Sequence, residues 1–232
     1  MYQDTTELDF NGQEADGLGP LNYEARCGMY LHPTYAVTPG REPLGVLDAW
    51  MWAHEKRGKD GVRPGQKESA RWIEGYGRVA EIAASLPATR LVYVPEHEAD
   101  VMALMRRARV GHPGRLAGAG HAQSRRGRRR EAVGAHLYRH GAGGNRLTMP
   151  AREDQKARPV RQQLWARQVE ITDGKGGRLS VTCVVAREVG APAGIEPTEW
   201  RLLSNRLIAT VEQAVKLIEW YRARWEIEIY SM

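Results

Sequence analysis

Lys67 to Val94 reads K-E-S-A-R-W-I-E-G-Y-G-R-V-A-E-I-A-A-S-L-P-A-T-R-L-V-Y-V. Apolar Trp72, Ile73, Tyr76, Val79, Ala80 and Ala83 recur at the spacing of one helix face, and Pro87 closes the run, which predicts a helix from Lys67 to Leu86. Arg90 to Val94 is a short apolar run of β-forming residues and reads as a buried strand. A second helix is predicted from about Glu98 to Arg107. Upstream, Met29 to Thr38 and Leu44 to Ala53 are strand-like and separated by T-P-G-R-E-P, whose Pro39 and Gly40 mark a turn. The opening M-Y-Q-D-T-T-E-L-D-F reads as a strand already under way. Three antiparallel strands followed by helix, strand and helix give an α/β order. Such folds place chemistry just past the C-terminal end of a strand.

Downstream the character changes. Residues 109–146 hold nine Gly and four His but no Ile, Phe or Trp, so this segment is expected to be irregular. It also holds nine Arg and one acid, Glu131, which accounts for +8 of a net charge of +6 and leaves the remainder near −2. The basicity that suggests an anionic partner such as nucleic acid is therefore local. Arg125 to Arg130 could neutralise phosphates as a flexible arm. The favoured reading is a GC-rich stretch translated out of frame between two compensating indels. Patterned sequence returns in 147–199, a β-rich stretch with strands at Leu164 to Thr172 and Leu179 to Val189 around D-G-K-G-G. Residues 200–232 add a short strand, Trp200 to Leu203, and a final helix from Val211 to about Tyr230.

At 232 residues and 42% hydrophobic content the chain can bury one good core with a smaller insertion. Cys27 and Cys183 are isolated, which excludes a C-x-x-C zinc site and a disulfide scaffold. No signal peptide and no 18-residue apolar run is present, so a cytoplasmic, nucleoid-associated protein without a membrane partner is expected. His136 and His140 lack the intervening Glu of a zinc helix, and Gly118 and Gly120 lack the third glycine of a dinucleotide fingerprint.

The string Y-R-A-R-W-E-I-E places Tyr221, Arg224 and Glu228 at i, i+3 and i+7, on one face of the last helix. A solvated helix with ion pairs is the plainer reading of that string taken alone. With Asp4 on the first strand and an acid just past the Arg90 to Val94 strand, Glu228 completes a set of three carboxylates. One acid each from a first strand, a middle strand and a late helix is how an RNase H-like fold gathers ligands for two Mg²⁺ ions. Such a pair activates a water or hydroxyl and stabilises the leaving oxygen in phosphodiester chemistry.

Six strings in order resemble the bacterial DDE transposases of the IS-four group, relatives of the transposon Tn-five enzyme. They are Q-D-T-T-E-L-D-F, L-H-P-T with P-L-G-V-L-D-A, K-E-S-A-R-W, V-P-E-H-E-A-D, E-W-R-L-L, and Y-x-x-R-x-x-x-E. The resemblance spans the chain apart from the Arg-rich stretch. It implies an RNase H-like mixed sheet flanked by helices, with a β-rich insertion before the last catalytic helix. It also implies Mg²⁺-dependent hydrolysis and strand transfer at transposon ends. By position, Asp4, Glu96 and Glu228 match the catalytic and metal-binding carboxylates. Tyr221 and Arg224 match residues that hold the transposon-end phosphate, and Trp200 and Trp225 match aromatics at the flipped base. An indole gives a base a stacking face and Arg a bidentate phosphate contact. Core packing is the alternative for both tryptophans.

The chain departs from that pattern. Glu96 stands where the family motif has Asp, and its extra methylene moves the carboxylate by roughly 1 Å, enough to cost on the order of 100-fold in rate. The Arg-rich stretch replaces patterned sequence. The chain begins three residues before Asp4 and stops at Met232, ahead of the lysine that the pattern places after Glu228. A truncated copy with little activity is therefore expected. The expected partners are transposon-end DNA and, among proteins, a second copy or full-length transposase. The alternatives are a non-catalytic DNA-binding or inhibitory remnant and a stand-alone RNase H-like nuclease.

Overall fold

The computed structural model describes residues 1–10, 16–22, 26–59, 68–95, 101–111, 116–121, 144–151, 156–172 and 177–224. These residues form a mixed α/β protein of two sheets and three helices. In chain order the strands are β1 (Tyr2–Gln3), β2 (Thr6–Asp9), β3 (Gly19–Pro20), β4 (Cys27–Val37), β5 (Pro43–Trp52), β6 (Leu91–Tyr93), β7 (Leu116–His121), β8 (Asn145–Met149), β9 (Arg158–Thr172), β10 (Arg178–Glu188) and β11 (Glu199–Ser204). The helices are α1 (Glu68–Ser85), α2 (Val101–Gly111) and α3 (Val211–Ala223).

The first sheet is antiparallel and built on β4, which pairs with β1, β2, β3 and β5. Gly28 of β4 lies against the carbonyl of Leu8 so closely that a Cβ there would collide with backbone. The second sheet runs β6-β7-β11-β10-β9-β8 and is antiparallel except for the parallel pair β6 and β7. A parallel bridge from Tyr2 to Val94 connects the two sheets. Strands expected within 147–199 thus continue the same sheet that carries Glu199–Ser204 and the middle strand.

The helix read from Lys67 to Leu86 is α1, with Trp72, Tyr76, Val79 and Ala83 buried on β6 beside Tyr93. Gly75 is the close approach in that packing, because a side chain there would occupy the space of the Gln3 amide. Gln3 and Tyr93 are both buried, and the Tyr93 hydroxyl donates to Gln3 Oε1 while Gln3 Nε2 donates to Thr34 Oγ1. Buried polar groups satisfied this way lock β1, β4, β6 and α1 into one arrangement. The larger core joins Tyr2, Tyr35 and Val94 to the inner face of β8–β11 and to Leu217, Ile218 and Tyr221 of α3. Thr210 caps α3 by accepting from Gln213 N at 3.3 Å, while Gln213 Oε1 accepts from Ala209 N at 2.8 Å, a reciprocal cap.

One expectation is corrected. Leu116–His121, inside the stretch expected to be irregular, forms β7 between β6 and β11. Glycine and alanine carry no strand pattern of their own. Both edges of β7 are paired, so neighbouring strands supply what the local sequence does not. The second helix is described from Val101 to Gly111, and the expected start near Glu98 lies outside the described residues. The Arg125 to Arg130 cluster, His136, His140 and most of the D-G-K-G-G loop lie outside the described residues.

Candidate functional site

Asp4 sits in the two-residue break between β1 and β2 and is half-buried. Its Oδ1 accepts from Thr5 N at 2.8 Å, which fixes the carboxylate against its own backbone. The Tyr2 to Val94 bridge is parallel, so the chain reaching Asp4 and the chain leaving β6 run side by side in the same direction. Glu96, Glu228 and Trp225 lie outside the described residues.

Two of the strings that carry the family resemblance, the hairpin pair L-H-P-T with P-L-G-V-L-D-A and K-E-S-A-R-W, meet next to Thr5, the neighbour of Asp4. From L-H-P-T comes His32, 4% exposed, whose Nδ1 lies 2.8 Å from Thr5 Oγ1. From K-E-S-A-R-W come Trp72, edge-on to His32 with ring centroids 4.6 Å apart, and Arg71. The Arg71 guanidinium lies 3.8 Å from the Trp52 ring centroid and 5.6 Å from that of Trp50. From P-L-G-V-L-D-A comes Asp48, which accepts from Arg78 Nη1 at 3.0 Å, and Arg78 in turn lies 4.9 Å from Trp50. The register of β4 and β5 sets His32 opposite Trp50 and Tyr30 opposite Trp52, which brings these rings onto one side. Tyr30 also donates to Glu7 Oε1 at 3.2 Å, tying β2 to the group.

Burial lowers the His32 pKa to about 4, outweighing the nearby Asp4 carboxylate, which raises it; the smaller effects of Arg71, which lowers it, and Asp48, which raises it, oppose each other. The ring is neutral at pH 7. It meets Thr5 as an uncharged ring. Its Nε2 and the neighbouring Trp52 Nε1 are buried with no hydrogen-bond partner among the described residues. This polar cluster was missed in the sequence, where only the alternation of Trp50 and Trp52 and of His32 and Thr34 hinted at it. Their meeting with Arg71 depends on long-range packing.

The residues of the other half lie elsewhere. Trp200 on β11 is 6% exposed, and Tyr221 and Arg224 at the end of α3 are 5% and 4% exposed. Trp200 and Tyr221 are core members, with ring centroids 6.3 Å apart, and Arg224 Cζ lies 5.5 Å from the Tyr221 ring. The three do come together, and Trp200 and Tyr221 share an apolar cluster with Tyr2, two residues before Asp4. Their faces are covered by protein. Glu199, beside Trp200, binds Arg201 Nε at 2.7 Å and Arg187 Nε at 3.5 Å at the outer surface of the sheet.

Among the described residues no group of three or more His, Cys, Asp and Glu side chains could hold a metal ion. Asp4, the described member of the expected set, has the donor chemistry of a hard-cation ligand. No protein-family model matches the chain. No helix among the described residues is long and apolar enough to cross a membrane.

Proposed function

We propose that this chain is a relative of the DDE transposases of the IS-four group, with an RNase H-like catalytic core whose activity is severely reduced. The meeting of the Asp4 string with the β4–β5 hairpin string and with K-E-S-A-R-W, through Thr5, His32 and Trp72, carries the reading. The strand order supports it as well: β5, β4 and β1 run antiparallel to their neighbours, β1 then bridges Val94 in parallel, and β6 pairs in parallel with β7. An RNase H-like sheet uses that alternation to bring its first and middle strands side by side.

Asp4, with Glu96 and Glu228, would hold Mg²⁺, whose chemistry here is activation of water or a DNA hydroxyl and stabilisation of the leaving oxygen. Thr5, His32 and the Arg71 and Trp72 pair position the carboxylate of Asp4. The reaction class is phosphodiester hydrolysis and strand transfer on transposon-end DNA. Burial of Trp200 and Tyr221 bears alike on this reading and on the alternative, a DNA-binding or inhibitory remnant, because both use these aromatics and a base needs an open indole face.

The test is Mg²⁺-dependent nicking and strand transfer on a duplex carrying the inverted repeats that flank the gene. The chain as it stands is expected to give little product. Glu96→Asp should raise the yield by about 10-fold to 100-fold, by restoring the shorter reach, and adding Asp4→Asn should abolish the gain. Cleavage of plain duplex that ignores the end sequence would replace this reading with a stand-alone nuclease. Complete inactivity of Glu96→Asp would favour the remnant.

A further inference from the structure

At the other end of β1 and β6 from Asp4, the protein opens on a cavity of about 440 Å³. That is within the range of about 300–1,000 Å³ typical of small-molecule sites. Its walls are apolar, with Ala36 and Val37 from β4 and Leu91 and Val92 from β6. Three cations, Arg90, Arg206 and Lys216, share the lining with Trp220, and no lining residue among those described is acidic. Arg206 Cζ and Lys216 Nζ lie 5.0 and 5.5 Å from the Trp220 ring centroid. The Arg206 backbone is held on both sides, its N–H donating to Ser204 Oγ at 3.1 Å and its carbonyl accepting from Thr182 Oγ1 at 2.7 Å. The backbone is fixed there, and the guanidinium rests over the Trp220 ring.

Like charges gathered without an acid among them repel, and an anion relieves that repulsion while taking charge-assisted hydrogen bonds. Burial and the charge of Arg90 both depress the Arg206 pKa, in keeping with an electropositive pocket. A bare inorganic ion would fill a small part of the volume and leave the apolar walls wet. A ligand with a flat ring as well as a phosphate would use both. We infer that this cavity binds a nucleotide, its phosphate on Arg206 and Lys216 and its base against Trp220 and the apolar wall. The phosphate ester could belong to a free nucleotide or to one unit of a strand. The inference does not depend on the transposase reading.

Equilibrium dialysis of the full chain with adenosine monophosphate tests it, with inorganic phosphate and an eight-residue oligothymidylate as competitors. Saturable one-to-one binding is expected, weakened by at least about tenfold in Lys216→Glu and in Arg206→Gln, with inorganic phosphate competing poorly. Displacement of the monophosphate by the oligonucleotide in the parent chain, lost in Lys216→Glu, would assign the site to a strand. Failure of the oligonucleotide to displace it would assign the site to a free nucleotide. The proposal falls if binding is non-saturable at millimolar concentration. It also falls if binding is equal in the parent and both variants, all three giving the same cooperative thermal melt.

Discussion

The surroundings of Asp4 and the end of α3 contain the same kinds of residue, aromatics with arginines, yet they are built in opposite ways. Around Asp4 the aromatics form a frame: Arg71 lies over Trp52, Trp72 meets His32 edge-on, and a half-buried carboxylate stands at the rim. At the end of α3 the aromatics are the filling, with Trp200 and Tyr221 packed inward and Arg224 covered with them. A frame can hold a group in place and leave it accessible. A filling must first be exposed before it can touch a ligand. If the two regions form one site, the α3 side is the one that has to rearrange.

Truncation separates the two most sharply. Trp200→Ala should cost about 3–5 kcal/mol, the usual range for removing a large aromatic from a packed core. Urea melts followed by circular dichroism would measure it. A loss under about 1 kcal/mol would mean that Trp200 is not a structural member of the core and is free to serve as a stacking platform.

Acid offers the next contrast, because the Asp4 frame depends on a neutral imidazole. The folded pKa of His32 is about 4, below the ordinary 6.5, so the unfolded chain binds the extra proton first as pH falls. The stability this burial confers on the neutral ring is complete above pH 6.5 and declines from there to about pH 4. The decline amounts to roughly 3 kcal/mol if the shift is fully expressed. His32→Gln should flatten the melting temperature between pH 7 and pH 4.5 relative to the parent. The α3 end contributes no histidine to this window. Equal pH slopes in the two proteins would show that the imidazole is not held neutral.

Much of this arrangement was legible from the chain. The α1 face from Trp72 to Ala83 follows from a period of 3.6 that burial imposes directly on sequence, and the β4–β5 hairpin from two β-forming runs around the Pro39 and Gly40 turn. Trp200 reads from the family strings as a stacking aromatic, whereas the alternation of Trp200, Leu202 and Ser204 on β11 turns it inward as core. What could not be read is non-local. L-A-G-A-G-H becomes β7 because two neighbours pair with it, and His32 meets Thr5 and Trp72 because a β4–β5 register and a helix crossing bring them together. Family strings pointed to Asp4, but its supporting frame became visible only when those strings met in space.

A smaller effect probes the frame itself. Arg71→Met keeps most of the apolar stem over Trp52 and removes the cation, so it should cost about 1–2 kcal/mol, the worth of a desolvated cation–π contact. Thermal melts would register it. A neutral or stabilising result would mean that Arg71 is held over the rings for a ligand and not for the fold.

The smallest expected change is the most informative about chemistry. Asp4→Asn preserves an oxygen that Thr5 N–H can reach and alters only charge at a half-buried position, so stability should move by no more than about 0.5 kcal/mol. If Glu96→Asp gains Mg²⁺-dependent end cleavage and adding Asp4→Asn removes it at unchanged stability, the lost function belongs to the carboxylate itself. If Asp4→Asn instead lowers the melting temperature by several degrees, Asp4 is a structural anchor of the β1–β2 break. The aromatic frame would then exist to hold that break, not to present an acid.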